Sequence, residues 1–310
     1  MIGRYLILCL LAFSTSIFMT SLGCSSQSRS QAPTPVGPTA TAISPVKIID
    51  AHVHTRFTGK PESNSGIPVT EEEFVAQMRE AGVVGAVTLE GSEGKGSETD
   101  LSSHGVIRCA GVGKIVDVSR IEKGLRSGYY RCLKIYLGYI HQYASDKRYQ
   151  PAYRLAEKYD VPVIFHTGDT YDVDGKLKYA DPLTIDEVAV DHRKVTFVIA
   201  HCGNPWIQSA AEVAYKNPNV YLDGSAFLIG NLKETSADAI KRTMVDPLAW
   251  IFAYVEDPKK LMFGSDWPLV RMTDYIDAFK QAIPREHWQA VFHDNAVRVF
   301  RLDKKTSALR

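Results

Sequence analysis

The sequence predicts an α/β protein built as a single (β/α)8 TIM barrel, with a metal site at the C-terminal mouth of the strands. From Val46 onward, short apolar runs alternate with amphipathic stretches, and the alternation repeats eight times. The eight units fit within residues 46–305, and about 250 residues is the usual size of such a barrel. An open, doubly wound sheet is the alternative. It normally carries a glycine-rich phosphate loop after its first strand, where this chain has His52-Val53-His54.

The apolar runs have the length and near-continuous hydrophobicity of parallel strands that are buried on both faces. In chain order they are Val46–His54, Val83–Glu90, Ile107–Gly113, Tyr130–Gly138, Val161–Thr167, Val195–Cys202, Asn219–Ser225 and Leu261–Asp266.

The stretches between these runs predict helices because their apolar residues recur three and four positions apart. The clearest are Thr70–Ala81, Tyr149–Tyr159, Pro205–Lys216 and Thr273–Ala282, and a last helical segment spans Arg285–Leu302. Thr70 and Glu73 predict a capping box at the start of the first helix. The stretch Lys233–Glu256 is longer than its counterparts and predicts two helices or an insertion.

The N-terminal 45 residues are predicted to direct export and to stand outside the fold. Arg4 precedes an apolar run, Tyr5–Phe18, and small residues follow, which is the pattern of a secretory signal over residues 1–23. Gly23-Cys24 resembles the bacterial lipoprotein signal, which implies an N-terminal lipid on Cys24 and a periplasmic or cell-surface protein anchored to a membrane. An uncleaved membrane anchor and a plain signal are the alternatives. Residues 24–45, rich in Ser, Pro and Thr, predict a flexible tether.

Composition narrows the classes of partner and fold. The chain has 310 residues, 45% of them hydrophobic and 23% charged, so it can bury a large core and is not expected to be disordered. Its formal net charge of +1 leaves no basic excess for a nucleic acid, and a small-molecule substrate is expected instead. The oligomeric state is not predicted. Cys109, Cys132 and Cys202 lie inside apolar runs, and the odd total of five cysteines excludes a fully paired set, so we expect buried thiols.

Several predicted strands end in residues that bind metals. His52 and His54 are two positions apart on the first strand, so both imidazoles point to the same side. His166 ends the fifth run, His201 lies near the end of the sixth, and Asp266 ends the eighth. The C-terminal mouth is where barrel enzymes carry their chemistry. Burying these groups together with Lys134 of the fourth strand is costly without a partner, and a divalent cation such as zinc suits imidazoles and a carboxylate. A pair of histidines alone would be weak evidence, because hydrogen bonds can satisfy both.

The ordered set of motifs resembles the amidohydrolase superfamily. Within it the chain is similar to the amidohydrolase-2 branch, which includes decarboxylases of the aminocarboxymuconate-semialdehyde type. The similar segments are Asp50–His54, Phe263–Pro268 and Asn295–Phe300. The resemblance implies that His52, His54, His166 and Asp266 hold one divalent ion and that His201 is a general base, a general acid or a hydrogen-bond donor beside it. In binuclear relatives a carboxylated lysine of the fourth strand bridges two metals. The resemblance gives Lys134 the place of such a lysine, and an interior ion pair or a substrate clamp is its other interpretation.

The resemblance implies two reactions. In the first, a metal-activated water, with Asp266 as proton acceptor, hydrolyses an amide, lactone or ester of a small molecule. In the second, the same ligands serve a decarboxylase. A non-catalytic binding lipoprotein is the alternative of another class. Arg56, Tyr136 and Arg271 are candidates for substrate binding, although an arginine in a solvated loop or a ring that fills the barrel would look the same in the sequence.

Overall fold

The computed structural model describes residues 46–92, 94 and 99–303, and in this part of the chain eight parallel strands form a barrel. Each strand pairs with the next along the chain, in the order β1 to β8. The strands are β1 (Ile48–Val53), β2 (Val83–Leu89), β3 (Val106–Val112), β4 (Cys132–Ile135), β5 (Val163–Phe165), β6 (Phe197–Ile199), β7 (Val220–Asp223) and β8 (Leu261–Met262). The predicted TIM barrel is confirmed.

Backbone hydrogen bonds between β1 and the chain around β8 close the barrel. Ala51 N donates to Phe263 O at 2.9 Å, Asp266 N donates to His52 O at 2.8 Å, and His54 N donates to Trp267 O at 2.7 Å. Because these bonds run directly beside His52 and His54, they fix the segment that carries Asp266 against the end of β1.

Helices lie between the strands, as the periodicity predicts. Those of the described residues are α1 (Glu71–Ala81), α2 (Val118–Ser127), α3 (Leu137–Ile140), α4 (Gln150–Tyr159), α5 (Leu177–Ala180), α6 (Ile185–Asp191), α7 (Ile207–Lys216), α8 (Ala237–Ile240), α9 (Asp246–Val255), α10 (Met272–Ala282) and α11 (Asn295–Val299).

Two predicted helical features differ in detail. Thr70 caps α1, and its hydroxyl accepts from Glu73 N at 3.2 Å, but the Glu73 carboxylate accepts from Gln77 and Arg271 instead of returning to the cap. In the long seventh connection, α8 continues into α9 through five π-helical residues, Lys241–Val245. These residues form one extended helical segment. The sequence predicted two helices or an insertion here and did not distinguish between them.

The barrel interior is apolar in its lower part and polar at its upper end. Buried residues from all parts of the sheet fill the lower part, including Ile49, Val87, Ile164, Val198 and Met262. Apolar burial of this kind is the main favourable contribution to folding. Toward the C-terminal ends of the strands the buried residues become polar, so the interior packing supports a polar site above it.

The cysteine expectation is wrong for two of three residues. Cys109 and Cys132 face each other in the register of β3 and β4, with a Cα–Cα distance of 4.3 Å, and form a disulfide. An odd cysteine count excludes full pairing but does not exclude one bridge, and adjacent strands placed these two side by side. Cys202 is a buried free thiol, as expected.

The predicted signal, lipid attachment at Cys24 and tether lie outside the described residues. Among the helices of residues 46–92 and 99–303, none has both the length and the hydropathy needed to cross a bilayer.

Candidate active site

Three predicted ligands meet at the barrel mouth. His52 belongs to β1, His54 follows it, and Asp266 follows β8 with a φ of 65°. Asp266 Oδ1 lies 3.2 Å from His54 Nε2 and 3.6 Å from His52 Nε2. One ligand atom from each residue lies within 4.8 Å of the other two. The arrangement brings two imidazoles and a carboxylate to one point.

Unsatisfied buried atoms in this group fit a bound cation. His52 Nε2 and Asp266 Oδ1 are buried, and neither has a hydrogen-bond partner of good geometry among the described residues. Buried polar atoms without partners are costly. A neutral imidazole nitrogen and a carboxylate oxygen that face each other match the ligand preference of zinc and related divalent ions.

Asp223, at the end of β7, orients His52. Its Oδ2 lies 3.0 Å from His52 Nδ1, and its Oδ1 accepts from the backbone N–H groups of His201 and Ser225 at 3.2 Å each. A carboxylate at Nδ1 places the imidazole hydrogen there and leaves the Nε2 lone pair free toward Asp266. Burial raises the pKa of Asp223, but the neighbouring His52, His201 and Lys134 together outweigh burial and hold that pKa below its usual value.

Asp50 fixes the turn that carries Asp266. The side chain of Asp50 is buried in β1 and accepts from Ser265 N at 2.9 Å and from Ser265 Oγ at 2.6 Å. Burial raises the pKa of Asp50 to about 7. Its partner Ser265 directly precedes Asp266, so Asp50 acts on the position of the ligand and not on the ligand atoms.

His166 and His201 contact each other beside this group. His201 Nε2 lies 3.2 Å from His166 Nδ1, and His166 Nε2 lies 2.8 Å from the carbonyl oxygen of Asp169. Both nitrogens of His166 are therefore occupied by protein partners. Among the described residues, the groups of close ligand atoms are His52, His54, Asp266 and His52, His201, Asp223, and neither group contains His166.

The two histidines belong to a chain of four polar contacts. It runs from Asp169 O through His166, His201 and Ser225 to Asp223, with His201 Nδ1 at 2.9 Å from Ser225 Oγ and the Ser225 hydroxyl donating to Asp223. Burial lowers the pKa of His201 to about 3 and that of His166 well below its usual value. Two neutral imidazoles and one hydroxyl supply three hydrogens for four contacts. One of the four contacts therefore lacks a hydrogen when both imidazoles are neutral.

Lys134 lies fully buried in β4 with Nζ unpaired among the described residues. Nζ lies 5.1 Å from the centre of the Tyr136 ring. Burial lowers the pKa of Lys134 to about 8, against the opposing effect of Asp223 and Asp266. A buried ammonium beside these carboxylates offsets part of their negative charge.

A cavity of about 570 Å³ opens above these residues. His54, His166, His201 and Asp266 form part of its lining, and Tyr136 lines it as predicted. Arg56 is exposed and Arg271 forms ion pairs with Glu73 and Glu80 at 3.3 and 3.2 Å, and neither arginine lines the cavity. A larger cleft of about 890 Å³ lies elsewhere, and none of the predicted site residues lines it.

Sequence reasoning missed Asp223 and Ser225. The signal was present, because Val220-Tyr221-Leu222-Asp223 is an apolar strand that ends in a carboxylate, like the strand that precedes Asp266. Reading every polar residue at a strand end as a candidate would have found Asp223.

Comparison with known proteins yields one family and many similar folds. The amidohydrolase family model matches residues 49–302. No curated protein matches the chain.

Three solved structures illustrate the structural likeness. A protein described as a probable 2-pyrone-4,6-dicarboxylic acid hydrolase from Acinetobacter baumannii, with citric acid bound, is 17% identical with a TM-score of 0.61, covering 83% of this chain and 100% of that one. The 5-carboxyvanillate decarboxylase of Sphingomonas paucimobilis is 12% identical with a TM-score of 0.55, covering 83% and 99%. That of Novosphingobium aromaticivorans, complexed with manganese and 4-hydroxy-3-methoxy-5-nitrobenzoic acid, is 13% identical with a TM-score of 0.56, covering 83% and 96%. At these identities the likeness establishes the shared barrel fold.

Proposed function

Because the chain belongs to the amidohydrolase family, we propose that it is a metal-dependent hydrolase that cleaves an amide, lactone or ester bond of a small molecule. The observation that carries the proposal is the meeting of His52 Nε2, His54 Nε2 and Asp266 Oδ1 at one point, where two of these atoms are buried without a hydrogen-bond partner of good geometry among the described residues.

In this proposal His52, His54 and Asp266 hold one divalent ion, for which zinc is our choice. When bound, such an ion supplies a Lewis acid that polarises a carbonyl group and lowers the pKa of water. His166 is a fourth ligand in our prediction, and to act as one its ring must release the carbonyl of Asp169 or the contact with His201. A second ion would require a carboxylated Lys134.

Asp266 is the proposed proton acceptor. Burial raises its pKa, but the neighbouring His52 and His54 outweigh burial, so its pKa stays below the usual value and the group stays ionised. One oxygen of Asp266 faces the two imidazoles. Its second oxygen is then available to receive a proton and to return it to the leaving group.

His201 is the proposed proton carrier beside the scissile bond. Its low pKa keeps the ring neutral at ordinary pH. Both of its nitrogens contact protein partners, so Nε2 must release His166 before it can accept a proton from the reacting groups. Ser225 and Asp223 keep the His201 ring in place during the transfer.

Decarboxylation is the second candidate. Two of the structural relatives are named decarboxylases, and Lys134 supplies a buried positive charge near the carboxylates of the site. In that reaction the same residues would bind a substrate carboxylate, and the bond between the carboxylate and the neighbouring carbon would break to release CO2. A protonated group would deliver a proton to that carbon in its place.

Assays of hydrolysis and of decarboxylation on panels of substrates, before and after the metal is removed and replaced, separate the hydrolase from the decarboxylase. We expect hydrolysis of aryl esters, lactones or anilides to be lost after chelation and restored by zinc or manganese. Release of CO2 from aromatic carboxylates, with no hydrolysis of the acyl panel, would contradict the hydrolase proposal and favour the decarboxylase. Binding of metal without turnover of either panel would favour a binding protein.

We also propose that the enzyme is exported and tethered through Cys24. The Cys109–Cys132 disulfide supports this proposal, because stable disulfides are typical of oxidising compartments outside the cytoplasm. Labelling of cells with a palmitate analogue should mark the wild-type protein and not a Cys24→Ala variant. Equal absence of label from both proteins, with the chain retained in the cytoplasm, would contradict export.

A further inference from the structure

Three tyrosines of the cavity present rings more than hydroxyls. The hydroxyl of Tyr136 donates to the carbonyl of Glu90, that of Tyr139 accepts from Tyr171 N, and that of Tyr171 accepts from Asn64 Nδ2, each at 3.0 Å. The Tyr136 hydroxyl uses its hydrogen on Glu90, whereas the hydroxyls of Tyr139 and Tyr171 accept here and keep a hydrogen to donate. Apart from these two donors, the tyrosines offer a ligand ring faces and edges. The Asn64 contact also joins the loops that follow β1 and β5.

The rest of the lining is largely apolar. Leu228, Ile229 and Leu269 contribute aliphatic surface, and Phe227 and Pro205 contribute rigid apolar rings. Ligand sites of this kind bury an apolar body and use a few placed polar groups for orientation. Besides the tyrosine hydroxyls, the polar groups of the lining are the histidines, Asp266, Asp169 and Asn204.

The charges around the cavity disfavour an anionic group on the body of a substrate. Asp169 lines the cavity, and Asp172 and Asp174 belong to the same loop. Among the described residues no lysine or arginine side chain lines the cavity. Lys134 is fully buried beneath it and is not part of the lining. Apart from a bound ion and the buried Lys134, a carboxylate on the body of a substrate would meet Asp169 here and no cationic side chain of the described lining.

We propose, on the basis of the hydrolase function above, that the substrate is a flat, uncharged ester, lactone or amide whose body carries no anionic group. The carbonyl to be cleaved lies toward His201 and Asp266, and the body lies between the tyrosine rings and the Phe227–Ile229 segment. The site therefore rejects polycarboxylates, including the dicarboxylic acid for which the pyrone hydrolase relative is named.

Binding of two matched, uncleavable ligands tests this proposal without depending on turnover. Acetophenone and 4-acetylbenzoate share a ring and a ketone and differ by one carboxylate. We expect calorimetry on the zinc-loaded protein to show acetophenone binding about tenfold more tightly, a difference that corresponds to about 1.4 kcal/mol.

A single substitution should reverse the preference. Ile229 lines the cavity and is 39% exposed, so a longer side chain fits there without disturbing the core. Ile229→Arg should strengthen the binding of 4-acetylbenzoate by about tenfold, because the guanidinium supplies the missing cation. Ile229→Gln, a polar variant without charge, is the matched control and should leave the preference for acetophenone in place.

The outcomes separate the selectivity from the reaction. Binding of 4-acetylbenzoate that equals or exceeds that of acetophenone in the wild-type protein overturns the proposal, and so does failure of both ligands to bind at millimolar concentration. A tenfold preference for acetophenone in a protein that hydrolyses nothing would support the selectivity while contradicting the hydrolase function.

Discussion

Asp223→Asn tests how the protein sets the tautomer of His52. The substitution keeps the size of the side chain and removes its charge. The backbone N–H groups of His201 and Ser225 donate to Oδ1 of Asp223, so they will hold the amide oxygen of the asparagine at the same position. The amide nitrogen then faces His52 Nδ1, which becomes an acceptor. The imidazole hydrogen moves to Nε2, the atom that faces Asp266 at 3.6 Å.

The size of the effect follows from this change of tautomer. A protonated Nε2 cannot bind a cation, so His52 must lose the hydrogen bond from residue 223 before it can act as a ligand. Groups that orient metal-binding histidines in this way are worth about 10- to 100-fold in metal affinity. We therefore expect zinc to bind about 10- to 100-fold more weakly to the variant, which corresponds to about 1.4–2.7 kcal/mol.

Competition with a chromophoric chelator measures this affinity directly. Asp186→Asn is the control, since it also converts a carboxylate to an amide, but in an ion pair with Lys216 that involves none of the proposed ligands. We expect its zinc affinity to change less than that of Asp223→Asn. Thermal unfolding of the metal-free proteins shows whether each variant is folded. A folded Asp223→Asn protein with wild-type zinc affinity would refute the assigned role of Asp223.

Three further predictions concern the ligand, the disulfide and the bond across the mouth. Asp266→Asn should lower the metal content and should lower the hydrolytic rate by about a thousandfold or more. Retention of both in a folded variant would show that another residue is the metal ligand and proton acceptor. Removing the bridge with Cys109→Ala and Cys132→Ala together should lower the free energy of unfolding by about 3 kcal/mol, because the disulfide links residues 23 positions apart. A urea unfolding curve that superimposes on that of the wild type would contradict this. Tyr171→Phe removes only the hydrogen bond to Asn64, so KM should change by less than about fivefold and the unfolding temperature should not change. A large loss of kcat would instead show that the hydroxyl takes part in the reaction.

The barrel and the location of its site follow from local patterns in the sequence. Apolar runs that end in His54, His166 or Asp266 specify both the strand and the end at which chemistry occurs, because parallel strands present their C-terminal ends at one mouth. This is why residue order could predict that His52, His54, His166, His201 and Asp266 lie at this mouth, whereas the choice of metal ligands among them came from the family resemblance.

Long-range register explains what the sequence did not reveal. The pairing of Cys109 with Cys132 depends on the register of β3 against β4, which the sequence of neither strand determines by itself. The ion pairs that remove Arg271 from the cavity depend on the packing of α1 against α10. The orientation of His166 depends on the backbone of Asp169 in the following loop.

The position of a bound metal ion tests the central claim most directly. Anomalous diffraction from crystals of the zinc-loaded protein locates the ion without reference to activity. We predict one zinc ion per chain, with His52 Nε2, His54 Nε2 and an oxygen of Asp266 at about 2.0–2.2 Å. A protein that binds no divalent ion, or binds it away from these three residues, would contradict the account.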